Sequence, residues 1–152
     1  MNSELPFQTG QEVLPPRAQP LLDASAALLG LRVFLAEDEP MLVLALEEVL
    51  GDLGCVVVGT ATRVSEAIAF VETHAFDVAV LDGKLADGTI DPVVAVLVAR
   101  GTPVVIASGA ASSECTERFG SVVSVQKPYK DDDLRQALLV ALARGQSGPA
   151  LS

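Results

Sequence analysis

From Leu31 onward, short apolar runs alternate with segments whose apolar positions recur at three- and four-residue spacing. The first pattern predicts strands and the second amphipathic helices. Leu31–Ala36 is a continuous apolar strand. Met41–Leu53 follows as a helix, with Leu42, Ala45, Leu46, Val49, Leu50 and Leu53 along one side, Pro40 suited to its first turn and Gly54 to its end. Cys55–Gly59 reads as the second strand, and Val64, Ala67, Ile68 and Val71 mark the second helix. Phe76–Leu81 is the third strand, ending at Asp82; beyond a polar loop come an apolar helix near Asp91–Arg100 and a strand at Pro103–Ala107. Ala111–Phe119 is Ser/Thr-rich with little apolar periodicity, the weakest helical pattern of the series. Val122–Gln126 and Asp132–Ala143 complete it, with Leu134, Ala137, Leu138, Ala141 and Leu142 on one helical face. The acidic run Asp131–Asp133 sits at that helix's start, where the helix dipole favours negative charge.

Five such βα units predict an α/β fold, a doubly wound (βα)5 three-layer sandwich with a parallel sheet between helices. The strands are short and apolar on both faces, as a sheet covered by helices requires. Right-handed crossovers bring the C-terminal ends of all strands to one edge, where such sheets hold their chemistry. Before this body, residues 1–30 carry Pro6, Pro15, Pro16 and Pro20 without a sustained period, and read as a flexible arm. Within the arm, Leu21–Leu29 fits either a short docked helix or a frayed turn. The body runs over residues 31–144 and residues 145–152 read as a tail, too short for an output domain.

Composition narrows the class. The 152 residues are 50% hydrophobic but only 4% aromatic, so burial must come from Ala, Val and Leu, in a chain long enough for one core without staples. Twenty acidic against ten basic residues give a net charge of −10, which repels a phosphate backbone, so no direct nucleic-acid binding is expected. The longest apolar runs, Val93–Ala99 and Ala137–Ala143, are too short for a membrane span, and Met1–Gly10 has no secretory character, which makes the cytoplasm the expected location. Cys55 and Cys115 lack metal-ligand spacing and read as reduced thiols.

The candidate chemistry lies in the polar residues that follow the strands: Glu37, Asp38 and Glu39 after the first, Asp82 after the third, Ser108 after the fourth, and Lys127-Pro128 after the fifth. Singly these are weak signals, since an acid after a strand often caps a helix and a serine often makes a turn. Together they describe a site. Carboxylates crowded at one edge repel unless a cation lies between them, and oxygen ligands in small number suit Mg²⁺. A lysine and a serine hydroxyl facing the same space can bind a phosphoryl group, with Asp82 at the end of the central strand as its acceptor.

The motifs Ala36-Glu37-Asp38-Glu39-Pro40, Val80-Leu81-Asp82, Ala107-Ser108-Gly109 and Gln126-Lys127-Pro128 resemble those of response-regulator receiver domains, the CheY-like fold, over roughly three quarters of the chain. The resemblance implies the flavodoxin-like strand order 2-1-3-4-5. It implies Asp82 as phosphoacceptor, Asp38 as a direct Mg²⁺ ligand, Glu37 as its acidic partner acting through water, and the backbone carbonyl of Lys84 as a further ligand. Ser108 matches the family's switch hydroxyl and Lys127 its phosphate-pairing lysine, with a cis Lys127-Pro128 bond. It further implies a stand-alone phosphoacceptor of a two-component or phosphorelay system, charged by a histidine kinase or histidine phosphotransfer protein and acting on a downstream protein or as a phosphate sink.

Two departures stand out. The position three before the lysine, usually aromatic in receivers, is Ser124. Ile106-Ala107-Ser108-Gly109-Ala110-Ala111 is partly similar to the receiver subgroup named for a Phe-Ala-Thr-Gly-hydrophobic-Tyr motif, which also lacks that aromatic, although the first and last positions here are not aromatic. Tyr129 reads as a partly packed loop residue, and His74 as a solvated or helix-capping residue with no relay role. Two rival readings are a degenerate receiver that only binds partners, and a haloacid-dehalogenase-like phosphohydrolase. Ala86-Asp87-Gly88-Thr89 echoes the phosphohydrolase motif, but position 85 is Leu where that motif has its first Asp.

Overall fold

The computed structural model describes residues 26–109 and 121–147. Along the chain these form β1 (Arg32–Ala36), α1 (Pro40–Asp52), β2 (Val56–Ala61), α2 (Val64–Thr73), β3 (Val78–Asp82), β4 (Lys84–Leu85), β5 (Gly88–Thr89), α3 (Asp91–Arg100), β6 (Val104–Ser108), β7 (Val123–Gln126) and α4 (Asp131–Ser147). Five strands pair in parallel in the order β2-β1-β3-β6-β7, which is the expected 2-1-3-4-5 once the hairpin β4-β5 is set apart. The helical segment expected at Ala111–Phe119 and residue Cys115 lie outside the described residues, as do the arm before Ala26 and the end of the tail.

The three layers follow from side-chain alternation along the strands. Phe34, Ala36, Ala79, Leu81, Val104 and Ile106 point to one face, where α2 and α3 cover them with Ala67, Val71, Val93, Val94 and Leu97. Val33, Leu35, Val78, Val80 and Val105 point to the other, against Leu46 and Leu50 of α1 and Leu134, Leu138 and Ala141 of α4. The inner strands β1, β3 and β6 are for this reason apolar and buried on both faces, apart from Arg32 at the start of β1 and the site residues Asp82 and Ser108 at the ends of β3 and β6. The edge strands β2 and β7 alternate between half-buried and exposed residues, since a helix covers only part of an outer strand. A helical turn at Ala26–Leu28 places Leu28 in the second core cluster, and the Gly30 N–H donates to the Gly54 carbonyl at 2.7 Å.

Element bounds differ from the sequence pattern mainly at ends. The final helix extends past Ala143 to Ser147. Leu42 and Ala45, on the expected apolar side of α1, line an open cleft of about 480 Å³ instead of the core, together with Leu46, Val49, Pro128 and Tyr129. The hairpin β4-β5, Lys84 paired with Thr89 and Leu85 with Gly88, occupies what the sequence pattern left as a polar loop. No helix among the described residues is long and apolar enough to cross a membrane.

Candidate functional site

Period-two alternation also builds the site. Glu37 continues the register of Val33 and Leu35, Asp82 that of Val78 and Val80, and Lys127 that of Val123 and Val125, so all three leave their strands toward the α1/α4 face. The three strand ends lie side by side because β1 pairs with β3, and β6 pairs with both β3 and β7. The Lys127 Nζ donates to Glu37 Oε1 at 3.1 Å and to Asp82 Oδ2 at 3.3 Å, joining residues 90 and 45 positions apart. Carboxylate oxygens of Glu37, Asp38 and Asp82 all lie within 4.8 Å of one another.

The backbone fixes these groups. Glu37 Oε2 accepts from the Glu39 N–H at 3.2 Å, and the Glu37 N–H donates to the Ala61 carbonyl at 2.9 Å. Asp82 Oδ1 accepts a long 3.4 Å bond from the Lys84 N–H at the start of the hairpin. The Gly83 N–H donates to the Ala107 carbonyl, and the Lys127 N–H donates to the Ser108 carbonyl at 2.8 Å, locking the β3, β6 and β7 ends together. The Lys127-Pro128 peptide bond is cis. Ser108 continues the opposite register of Val104 and Ile106, and its side chain lies alongside Gly83, 3.5 Å from where a Cβ at that position would stand.

Charge is unbalanced in this cup. Three carboxylates gather beside one ammonium, which pairs with Glu37 and Asp82, and Glu37 is only 2% exposed. Burial pushes the Glu37 carboxyl above its usual range and the Asp82 charge adds to the rise, against the lowering effect of Lys127. Burial alone would lower the Lys127 ammonium, but Glu37 and Asp82 outweigh it and hold it above the ordinary lysine value. An excess of two negative charges over oxygen-only donors is what a divalent, hard cation neutralises, so the residues present fit Mg²⁺.

Other residues singled out in the sequence fall elsewhere. Ser124 is exposed on β7, opposite Ile106, with no aromatic at the site's rim from that position. Tyr129 packs against the α1/α4 core cluster and lines the cleft beside Lys127. His74 is exposed at the C-terminus of α2, stacked on Phe70 with ring centroids 4.2 Å apart, far from the strand ends that carry the cup. Cys55 is a buried free thiol. Asp87 of the phosphohydrolase-like motif is not part of the carboxylate cluster; it accepts hydrogen bonds from the Val64 and Ser65 amides at the start of α2. No local pattern marks Asp87 for this role, because a bond to residues more than twenty positions away leaves no signature in the neighbouring sequence.

Comparison with known proteins agrees with this fold. A family model described as Response regulator receiver domain matches residues 33–139. The transcriptional regulatory protein PdtaR of Mycobacterium tuberculosis is 32% identical over 137 residues, covering 87% of this chain and 66% of PdtaR, so the chain spans just under two thirds of that relative. The solution structure of SdrG from Sphingomonas melonis Fr1 is 35% identical and superposes with a TM-score of 0.65 over 76% of this chain and 98% of SdrG. The response regulator PhyR from Brucella abortus is 26% identical with a TM-score of 0.71, over 88% of this chain but 58% of PhyR.

Proposed function

Because the chain belongs to the response regulator receiver domain family, we propose that Asp82 accepts a phosphoryl group in a Mg²⁺-dependent reaction and that the modified protein signals by protein contact. The observation carrying this reading is the cup itself: carboxylate oxygens of Glu37, Asp38 and Asp82 within 4.8 Å of one another, with the Lys127 ammonium bridging Glu37 and Asp82. A surface kept only for partner binding has no use for a charge-unbalanced cluster that includes a buried glutamate.

In this reading Glu37, Asp38, Asp82 and the Lys84 carbonyl hold the metal, which when bound supplies neutralisation of the phosphoryl oxygens against the carboxylates. An Asp82 carboxylate oxygen attacks phosphorus in line. The bond from phosphorus to the donor breaks, to a histidine nitrogen in a histidine kinase or phosphotransfer protein, or to oxygen in a small acyl phosphate. The leaving atom keeps the electron pair, and an acyl phosphate forms on Asp82. Lys127 then pairs with the transferred group in place of the charge that Asp82 has lost, and the Ser108 hydroxyl donates to a phosphoryl oxygen. The phosphorylated form acts on a downstream protein or drains phosphoryl groups from a donor it shares.

Intact-mass measurement after incubation with acetyl phosphate tests this. One added phosphoryl group is expected with Mg²⁺, none after chelation, and none on Asp82→Asn. No addition to the unaltered chain, or equal addition to Asp82→Asn, contradicts it.

A further inference from the structure

α2 begins without a cap of its own. Its N-cap residue, Arg63, makes no side-chain bond to the first-turn amides, so these need an acceptor from elsewhere. Asp87, at the tip of the β4-β5 hairpin, supplies it: Oδ1 accepts from the Val64 N–H at 2.5 Å and Oδ2 from the Ser65 N–H at 3.3 Å. The bond from Val64 above all holds the Asp87 carboxyl below its usual range, as expected of a carboxylate bound by backbone donors at a helix start.

This contact closes a ring of fixed backbone around the cup. The end of β1 is tied to the end of β2 by the Glu37 N–H to the Ala61 carbonyl. From Ala61 the chain turns directly into α2 through Thr62, whose amide and hydroxyl both donate to Glu66. Asp87 joins the start of α2 to the hairpin, and the hairpin leads back within three residues to Asp82, which its own Lys84 N–H touches. Leu85 buried in the core and the Ile90 N–H on the Gly83 carbonyl hold the hairpin's base. Asp87 holds its tip to the start of α2.

We infer that Asp87 is a positioning residue: by clamping the hairpin tip to the start of α2 it fixes the Gly83–Leu85 backbone relative to Glu37 and Asp82, and so sets the cup's affinity for its cation. This rests on the reading of the cup as a Mg²⁺ site. It concerns geometry and not charge, which separates the effects of two substitutions. Asp87→Asn keeps one oxygen, enough for the shorter bond from the Val64 amide, but sets its NH2 against the Ser65 N–H and loses the charge. Asp87→Glu keeps the charge but displaces the acceptor by a methylene.

The test is a Mg²⁺ titration of the full chain followed by ¹H–¹⁵N amide shifts, with amide hydrogen exchange of Val64, Ser65 and Lys84 measured without metal. Asp87→Ala and Asp87→Glu are expected to weaken Mg²⁺ binding by about tenfold, as loss of a group supporting a metal site does, and to speed exchange at these amides. Asp87→Asn, which retains the shorter bond, is expected to keep Mg²⁺ affinity and slow exchange at Val64 and Lys84 and to speed exchange at Ser65 alone. If Asp87→Ala fails to fold by circular dichroism, the Glu and Asn pair decides. Unchanged Mg²⁺ affinity in Asp87→Glu despite faster exchange overturns the inference and leaves the Mg²⁺ site standing. Weak Mg²⁺ binding by Asp87→Asn with exchange at Val64 and Lys84 unchanged overturns it in favour of a charge effect. An unaltered chain with no Mg²⁺ response overturns both the inference and the reading beneath it.

Discussion

Tyr129 reports on the cup without belonging to it. It is the chain's single tyrosine, so its ionisation can be followed optically without interference. Burial first, and then the charges of Glu37, Asp82 and Asp131, push its phenol up to about 12 from an ordinary 10.0. The folded state therefore favours the neutral phenol. The stability this provides is fully present below pH 10.0 and is lost as pH rises from there toward about 12. Absorbance at the tyrosinate band should show Tyr129 almost wholly neutral in the folded protein at pH 10, against about half ionised in urea at the same pH. Equal ionisation in the two states would place the ring in solvent. Of the other residues noted in the sequence, Glu37, Asp38, Asp82 and Lys127 were legible because each interrupts an apolar strand at its C-terminal end. Asp87 was not, because its partners are distant in sequence and its neighbours resemble an unrelated motif.

At the scale of elements, the parallel sheet was legible because both faces of β1, β3 and β6 are apolar and each strand is followed by a helical period. Three features were not. The two-residue strands β4 and β5 are too short for any period to show. The outward-facing positions of β2 and β7 depend on their place at the sheet's edges. The exposure of Leu42 and Ala45 depends on a cleft that helical spacing alone does not reveal. β2 also carries a constraint invisible in its sequence. The pairing slips between Val33 and Phe34 so that Gly59 stands opposite Phe34, and a Cβ on Gly59 would lie 2.3 Å from the Phe70 ring. That ring has little room to retreat, being stacked on Phe34 at 4.6 Å and on His74 at 4.2 Å. Gly59→Ala is therefore expected to destabilise the fold by about 1–3 kcal/mol, the usual cost of overpacking. A shift of the urea midpoint to lower concentration would show it; an unmoved midpoint would mean that α2 yields freely.

At the scale of the whole molecule, three strand ends converge because sheet order places β1, β3, β6 and β7 in sequence across one edge. The cluster then gathers two units of unbalanced negative charge around one ammonium. The same sheet order was expected from the sequence, and with it the meeting of residues 37, 82 and 127; the hairpin clamp that borders them emerged only from the fold. Chemically, the proposed function turns on Asp82, among the acids of this cup, being the one that takes the phosphoryl group. It is tested most directly by treating the full chain with acetyl phosphate and Mg²⁺, reducing any acyl phosphate with borohydride, and sequencing the product by mass spectrometry. Homoserine at position 82 alone, absent when Mg²⁺ is chelated, is the predicted result. Homoserine at another acidic position, or none at all with Mg²⁺ present, would contradict it.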